Sequence, residues 1–338
     1  MVFALIRDEP KNQREVINVR IGVLAADRMK NNRKYDLAET RHNHPFVSVI
    51  IPVYNDRVGI QETLLSLFRQ NYPMDRYEII VIDNNSTDNT GALIGKTVSG
   101  FVGNIVVETE KRPGSYAARN KGISVSQGEI IAFIDSNMTV EPDWLCKGVE
   151  RIVHGEVDYV GCRIQIFSRK RKPSLWEKYQ IALGFPVKDY MEIDGYAPTA
   201  SLFVRRKVID EAGKFEAGLF SGGDVEFGTR VRDRGFKMSY DSDNLMYHPA
   251  RRSFQSLLKK QKRVTLGQIK LRRLFPERFK KNSIKDIVIC CIQCFPVVSP
   301  GILLKLSGSG ADFFPLFMGF YVLRLYTNYL KVIHKSLF

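Results

Sequence analysis

Two apolar runs joined by one amphipathic stretch, all within residues 46–83, leave this chain few folds to choose from. Residues 46–53 read Phe-Val-Ser-Val-Ile-Ile-Pro-Val and close on Tyr54-Asn55-Asp56. Ile60, Leu64, Leu67 and Phe68 then fall on one helical face. Pro73 ends that helix, because proline has no N–H to donate. Residues 78–83 form a second run that stops on a carboxylate, Asp83. Largely apolar strands joined by a helix pair in parallel within a sheet covered on both faces. Sheets of this kind bind ligands beyond the carboxyl ends of their strands, where Asn55, Asp56, Asp83 and Ser86 lie.

The alternation continues downstream. Strands are expected over residues 104–108 and 129–135, with helices over 115–125 and 141–153, the latter opened by Pro142. The fold class is α/β, a central, mostly parallel sheet flanked by helices. From Val157 the strands become short, at 159–166, 199–204 and 237–240. The chain divides into an N-terminal extension (1–45), a main domain (46–250) in two halves (46–137 and 138–250), and a basic then apolar C-terminal region (251–338).

Five groups of residues have the chemistry of a site. Asp135-Ser136-Asn137 follows an apolar strand. A carboxylate there can hold a hard divalent cation against phosphates, or it can simply cap a turn. In the run from Lys111 to Gly122, Gly114 lets a ligand approach the backbone, and Arg119 and Lys121 offer positive charge beside a helix N-terminus. The alternative is a solvated basic helix face. Asp83 is an acceptor able to read an imino N–H, while Ser86 or Asp88 would cap the next helix. Asp224, at a glycine-rich helix start, suits either a general base or an N-cap. His248 suits a metal ligand or a structural histidine.

The segments IIPVYN, SLFRQNYP and EIIVIDNNSTDNT, in that order, resemble glycosyltransferase family 2, and the likeness extends to about residue 250. The resemblance implies a GT-A fold and inverting transfer of a sugar from a nucleotide-diphosphate sugar to a glycan or glycolipid hydroxyl. A divalent cation, Mn2+ or Mg2+, would assist. It implies donor contacts at Pro52, Tyr54, Asn55, Asp56, Asp83, Ser86, Gly114, Arg119, Asp135 and Ser136. It further implies metal ligation by Asp135, Asn137 and His248, and a catalytic base at Asp224. This chain has Asn137 where the family usually has a second Asp, and Gly223 and Glu226 where it usually has Glu and Asp. A degenerate scaffold with this fold is the rival reading.

The net charge of +15 favours an anionic partner. Residues 251–285 hold thirteen Lys or Arg against one acid, Glu277. They precede a charge-free run of eighteen residues, 287–304, and a second apolar stretch at 313–323. An anionic membrane surface contacted through 251–338, monotopically or by a short hairpin, with the catalytic part at the cytoplasmic face, is the expectation; the alternative is a buried C-terminal helix pair closing the acceptor cleft. Nucleic acid is not expected, since the basic stretch lacks interleaved stacking aromatics. A dehydrogenase is disfavoured because no G-x-G-x-x-G follows the first strand. Five cysteines without paired spacing form no disulfide framework, and Cys291 and Cys294 read as apolar filler.

Overall fold

The computed structural model describes residues 44–279 and 310–336. The expected extension over 1–45, the charge-free run at 287–304, and Cys291 and Cys294 fall almost wholly outside the described residues.

One eight-stranded sheet organises the molecule, in the order β3-β2-β1-β4-β7-β6-β8-β5. Strands β1 (Val47–Val53), β2 (Tyr77–Asp83), β3 (Asn104–Thr109) and β4 (Ile130–Ile134) are mutually parallel. Every residue of β1 and β4 is buried, as strands covered on both faces require. The register sets Val53 beside Asp83 and Asp83 beside Thr109, so the polar turns after these strands share one edge. At the other end Glu78, almost fully buried, accepts from Ser48 Oγ (2.6 Å) and Gln127 N (2.7 Å), leaving its carboxylate doubly partnered.

The second half is mixed. β7 (Ser201–Arg205) runs antiparallel to β4 and β6 (Tyr159–Phe167), whereas β6 and β8 (Met238–Pro249) are parallel. The two-residue β5 (Thr139–Val140) closes the order against β8. Strand β8 is three times as long as the expected 237–240. It passes through the polar run Asp241–Asn244. The backbone bulges there, and its register on β6 jumps from Asp241 to Leu245. Asp241 accepts from the amides of Asp243 and Asn244, and buried Asn244 donates to Trp144 O. Pairing resumes beyond the bulge, and His248 is therefore inside a strand.

Helices Arg57–Leu67, Ser115–Val125 and Trp144–Val153 cover the sheet. The helix expected over 115–125 has those bounds, and Ile60, Leu64, Leu67 and Phe68 are all buried. Trp144 lies 4.7 Å from Phe203 between ring centroids. Two further helices, Phe254–Leu274 and Phe313–Ser336, pack together and against Leu175–Leu183. Leu257, Leu316, Leu323 and Tyr179 form their shared core. Among the described residues no helix is long and apolar enough to cross a membrane.

Gly148 lies where a Cβ would come within 2.4 Å of the Phe203 ring. Gly148→Ala should therefore lower stability by ~1–3 kcal/mol through overpacking, read as a drop in Tm.

Candidate active site

Two cavities open at the carboxyl edge of the parallel strands and meet there. The first, about 590 Å³, lies beyond β1, β2 and β4. Pro52, Tyr54, Gly114, Arg119, Asp135, Ser136 and Asn137, all expected from the sequence, line it. The second, about 380 Å³, lies between β8, helix Gly223–Asp233 and helix Phe254–Leu274, and holds Asp224 and His248. Ser115, Arg119, Asp135 and Arg263 belong to both walls.

Asn55, Asp56, Asp83 and Ser86 stand behind the first cavity rather than lining it. Asp56 caps helix Arg57–Leu67 by accepting from Gly59 N (3.0 Å), and its other oxygen accepts from Ser136 Oγ (3.1 Å). Asp83 accepts from Ser86 N (3.0 Å), Ser86 Oγ accepts from Asn55 N (3.0 Å), and Asn55 Oδ1 accepts from Thr87 N (2.8 Å). These bonds fold the two strand-end turns onto each other, with Asn55 and Asn85 in the left-handed region at φ +48° and +61°. Asn84 adds a brace: it donates to the carbonyls of Glu110 and Arg112 and accepts from Gly114 N (2.7 Å).

Arg119 lines both cavities and is already paired. Its guanidinium, 4% exposed, donates from Nη2 to Asp135 Oδ1 at 2.6 Å, while the Asp135 carboxylate remains 39% exposed. Its buried Nε has no hydrogen-bond partner among the described residues. The pair fixes the direction of the Asp135 carboxylate. Lys121 pairs with Glu108 instead of turning to the cleft.

Asp224 lies one residue inside its helix and is not an N-cap; Gly222, at φ +87°, holds that position. Tyr116 OH donates to Asp224 Oδ1 (3.1 Å), as does Val225 N (3.1 Å). Burial pushes the Asp224 carboxyl above the ordinary carboxylate range, and the Tyr116 and Val225 hydrogen bonds oppose that rise. Gly223 makes the contact possible, because a Cβ there would come within 2.7–2.9 Å of the Tyr116 ring. Glu226 faces away and is bound by Arg230 through two nitrogens (2.6 and 2.9 Å), with Arg278 nearby.

His248 is 8% exposed, and its Nδ1 lies 2.8 Å from Pro249 O. A ring nitrogen facing a carbonyl must carry the proton, so Nε2 of the neutral ring keeps its lone pair. Burial, then the charge of Arg251, lower its pKa to about 4, leaving the ring neutral at physiological pH. Asp194 lines the second cavity, while Asp189 does not.

Other residues here escaped sequence reasoning. Tyr190 and Tyr196 stack at 5.0 Å with 18° between their rings, and Arg251, Lys260 and Arg263 project from the basic segment. Isolated tyrosines between short elements carry no periodic signal, and a cation count does not say which cations turn inward.

A parallel first half, a mixed second half and a carboxylate-lined cleft at the strand ends define a GT-A type of fold. The glycosyl transferase family 2 model matches residues 48–213. Glycosyltransferase AglE of Haloferax volcanii is 38% identical over 227 residues, covering 67% of this chain and 74% of AglE. Putative glycosyltransferase EpsH of Bacillus subtilis is 37% identical over 118 residues, 35% of this chain and 33% of EpsH. Among solved structures, the mannosyltransferase PcManGT of Pyrobaculum calidifontis aligns with a TM-score of 0.57 at 16% identity, covering 94% of this chain and 98% of PcManGT. Residues 1–349 of S. aureus TarS align with a TM-score of 0.50 at 17% identity, covering 86% and 91%. The chain belongs to glycosyltransferase family 2 and is a glycosyltransferase.

An acid whose folded pKa is raised loses stability as pH rises through its unfolded value, because the folded state then holds an ion it disfavours. Asp224→Asn keeps an oxygen for Tyr116 and Val225. Its Tm should exceed that of the parent at pH 7, and the gain should vanish in a melting series taken down into the acid range.

Proposed function

We propose that the chain transfers a sugar, with inversion, from a nucleotide-diphosphate sugar in the first cavity to an acceptor hydroxyl in the second. The observation that carries this reading is the junction of the two cavities at Ser115, Arg119 and Asp135, with Asp224 on the acceptor side. PcManGT was solved with GDP-mannose and Mn2+, a donor of the class proposed for this chain. The main domain would remain 46–250, with donor and acceptor halves meeting near residue 137.

Beyond β1 and β2, the braced turns of Asn55, Asp83, Ser86 and Asn84 would hold the nucleoside. Gly114 and the backbone at the start of helix Ser115–Val125 would face the diphosphate, whose charge suits a helix N-terminus. Asp224 would take the proton of the acceptor hydroxyl as its oxygen attacks the anomeric carbon. The bond to the diphosphate then breaks, and its electron pair leaves with the phosphate oxygen. A raised pKa suits a base that must accept a proton near neutrality. Tyr116 would keep that carboxylate aimed. The acceptor is proposed to be a growing glycan or a glycolipid.

The residues present fit a divalent cation. Asp135 offers a half-exposed carboxylate fixed by Arg119, and neutral His248 shares a cavity wall with it. The described residues contain no group of three or more His, Cys, Asp or Glu able to hold a metal. Diphosphate oxygens and water would therefore complete the ligand set, as is usual for Mg2+ and its like. Asp135 and His248 would hold the ion, with Asn137 supplying a neutral oxygen. Bound Mn2+ or Mg2+ would offset the charge of the leaving diphosphate.

The last helix supports contact with an anionic membrane at the cytoplasmic face. Leu316, Leu323 and Leu330 point inward, and Phe314, Met318, Val322, Leu325, Tyr329 and Val332 stay exposed at helical spacing. Lys259, Lys262 and Lys270 are exposed on the neighbouring helix. An apolar stripe beside cations suits a helix lying in the interface.

Titration with UDP, GDP and dTDP, each with and without Mn2+, should give micromolar, metal-dependent binding of one nucleotide. Asp135→Asn, which keeps an oxygen for Arg119, should abolish the metal dependence; no binding of any nucleotide favours the scaffold reading. Asp224→Asn should cut turnover by ~10²–10⁴-fold with the donor still bound. In flotation assays the full chain should rise with anionic vesicles and not with neutral ones, and Phe314→Glu with Val322→Glu should release it.

A further inference from the structure

The transfer scheme leaves three cations on the wall of the second cavity without a task. Arg251 stands just before helix Phe254–Leu274, and Lys260 and Arg263 lie one turn apart on it. Among the described residues none of the three makes a salt bridge, whereas Arg119, on the opposite side, is engaged by Asp135. Arg263 Nη1 donates to Phe220 O (3.3 Å), and the Lys260 ammonium lies 5.7 Å from the Phe185 ring centroid. Arg251 and Lys260 line the second cavity and not the first, so the donor cavity alone does not account for them.

A solvated basic face spreads its charges apart. Here Lys260 and Arg263, both solvent-exposed, and half-buried Arg251 line one concave cavity wall together. Lys260 is reachable from solvent, yet the cavity walls, then Arg251 and Arg263, lower its pKa to about 8. Burial and Arg263 also lower that of Arg251. Three like charges on one concave wall repel one another, and an anion seated among them relieves that repulsion. Two planar guanidiniums and one ammonium match the oxygens of a phosphate group. Phe185, Pro198 and Val264, on the same cavity wall, offer apolar surface beside it.

We infer that the acceptor carries a phosphate ester or diphosphate ester, seated on Arg251, Lys260 and Arg263 while its hydroxyl reaches Asp224. This deepens the proposed function and rests on its assignment of the second cavity to the acceptor. Such an acceptor must come from a reaction that places a sugar on a phosphate, either on a lipid or free in solution.

The test titrates the full chain, saturated with the nucleoside diphosphate it binds best, with inorganic phosphate, octyl phosphate and octyl glucoside. A phosphate-bearing probe should bind alongside the nucleotide, and octyl glucoside should not bind at the same concentration. Lys260→Gln and Arg251→Gln should each weaken the phosphate probe by about tenfold or more, the loss of one charged contact. Their nucleotide affinity should hold, which also reports that they fold. Tighter binding of octyl phosphate than of inorganic phosphate assigns a lipid-linked acceptor; equal binding assigns a free phosphosugar. The inference is overturned if neither phosphate binds, if both variants bind as the parent does, or if phosphate displaces the nucleotide. A chain that binds no nucleotide refutes the donor assignment separately, and the same phosphate titrations without nucleotide still decide the anion seat.

Discussion

The ion pair between Arg119 and Asp135 is the contact on which the cleft depends. A guanidinium with 4% exposure cannot be left uncompensated, because an isolated buried charge costs several kcal/mol. Asp135, at the end of β4, supplies the compensation and is thereby fixed in direction. The same pair ties helix Ser115–Val125 to the sheet edge, and that helix carries Tyr116, which reaches Asp224 across the cleft. One interaction therefore sets the positions of both carboxylates. Removing Asp135 altogether would strand the arginine, so a loss of activity in Asp135→Ala would mix chemistry with folding.

The departures from the family's usual sequence make sense as one local rearrangement. Gly223 replaces a Glu, and the vacated volume is filled by the Tyr116 ring, whose hydroxyl bonds Asp224. Glu226, in place of an Asp, swings to a buried pair with Arg230 that pins the helix to the segment after Ala212. The proposed base is thus supported by a phenol from the donor half, and the second acid has become structural. Neither change empties the cleft of the group the proposed chemistry needs.

Cations on the C-terminal helices divide by direction. Those on the outer side remain in water beside an apolar stripe, where an anionic surface suits them. Arg251, Lys260 and Arg263 line the second cavity instead, where three cations on one concave wall make a better anion partner than scattered lysines. Placement of a phosphate at these residues and of a membrane at the outer helix would present a lipid-linked acceptor to the cleft from one side.

The sequence by itself determined the parallel half of the sheet. Apolar runs such as 46–53 and 78–83 admit few other arrangements, and helix 115–125 could be bounded to the residue. It also located Asp135 and Asp224, because each ends or begins an element whose period is plain. Tertiary structure decided the rest. The bulge at Asp241–Asn244 hides a long strand behind a polar run, since only pairing with β6 carries the chain across it. Whether a charged side chain lines a cavity depends on what packs against its helix, so the cations of 251–285 read alike until the fold sets Arg251, Lys260 and Arg263, among the described residues, on one cavity wall. The sequence marks Arg119 as a candidate phosphate partner, but Asp135 lies sixteen residues away on another element, and only folding brings the two within 2.6 Å.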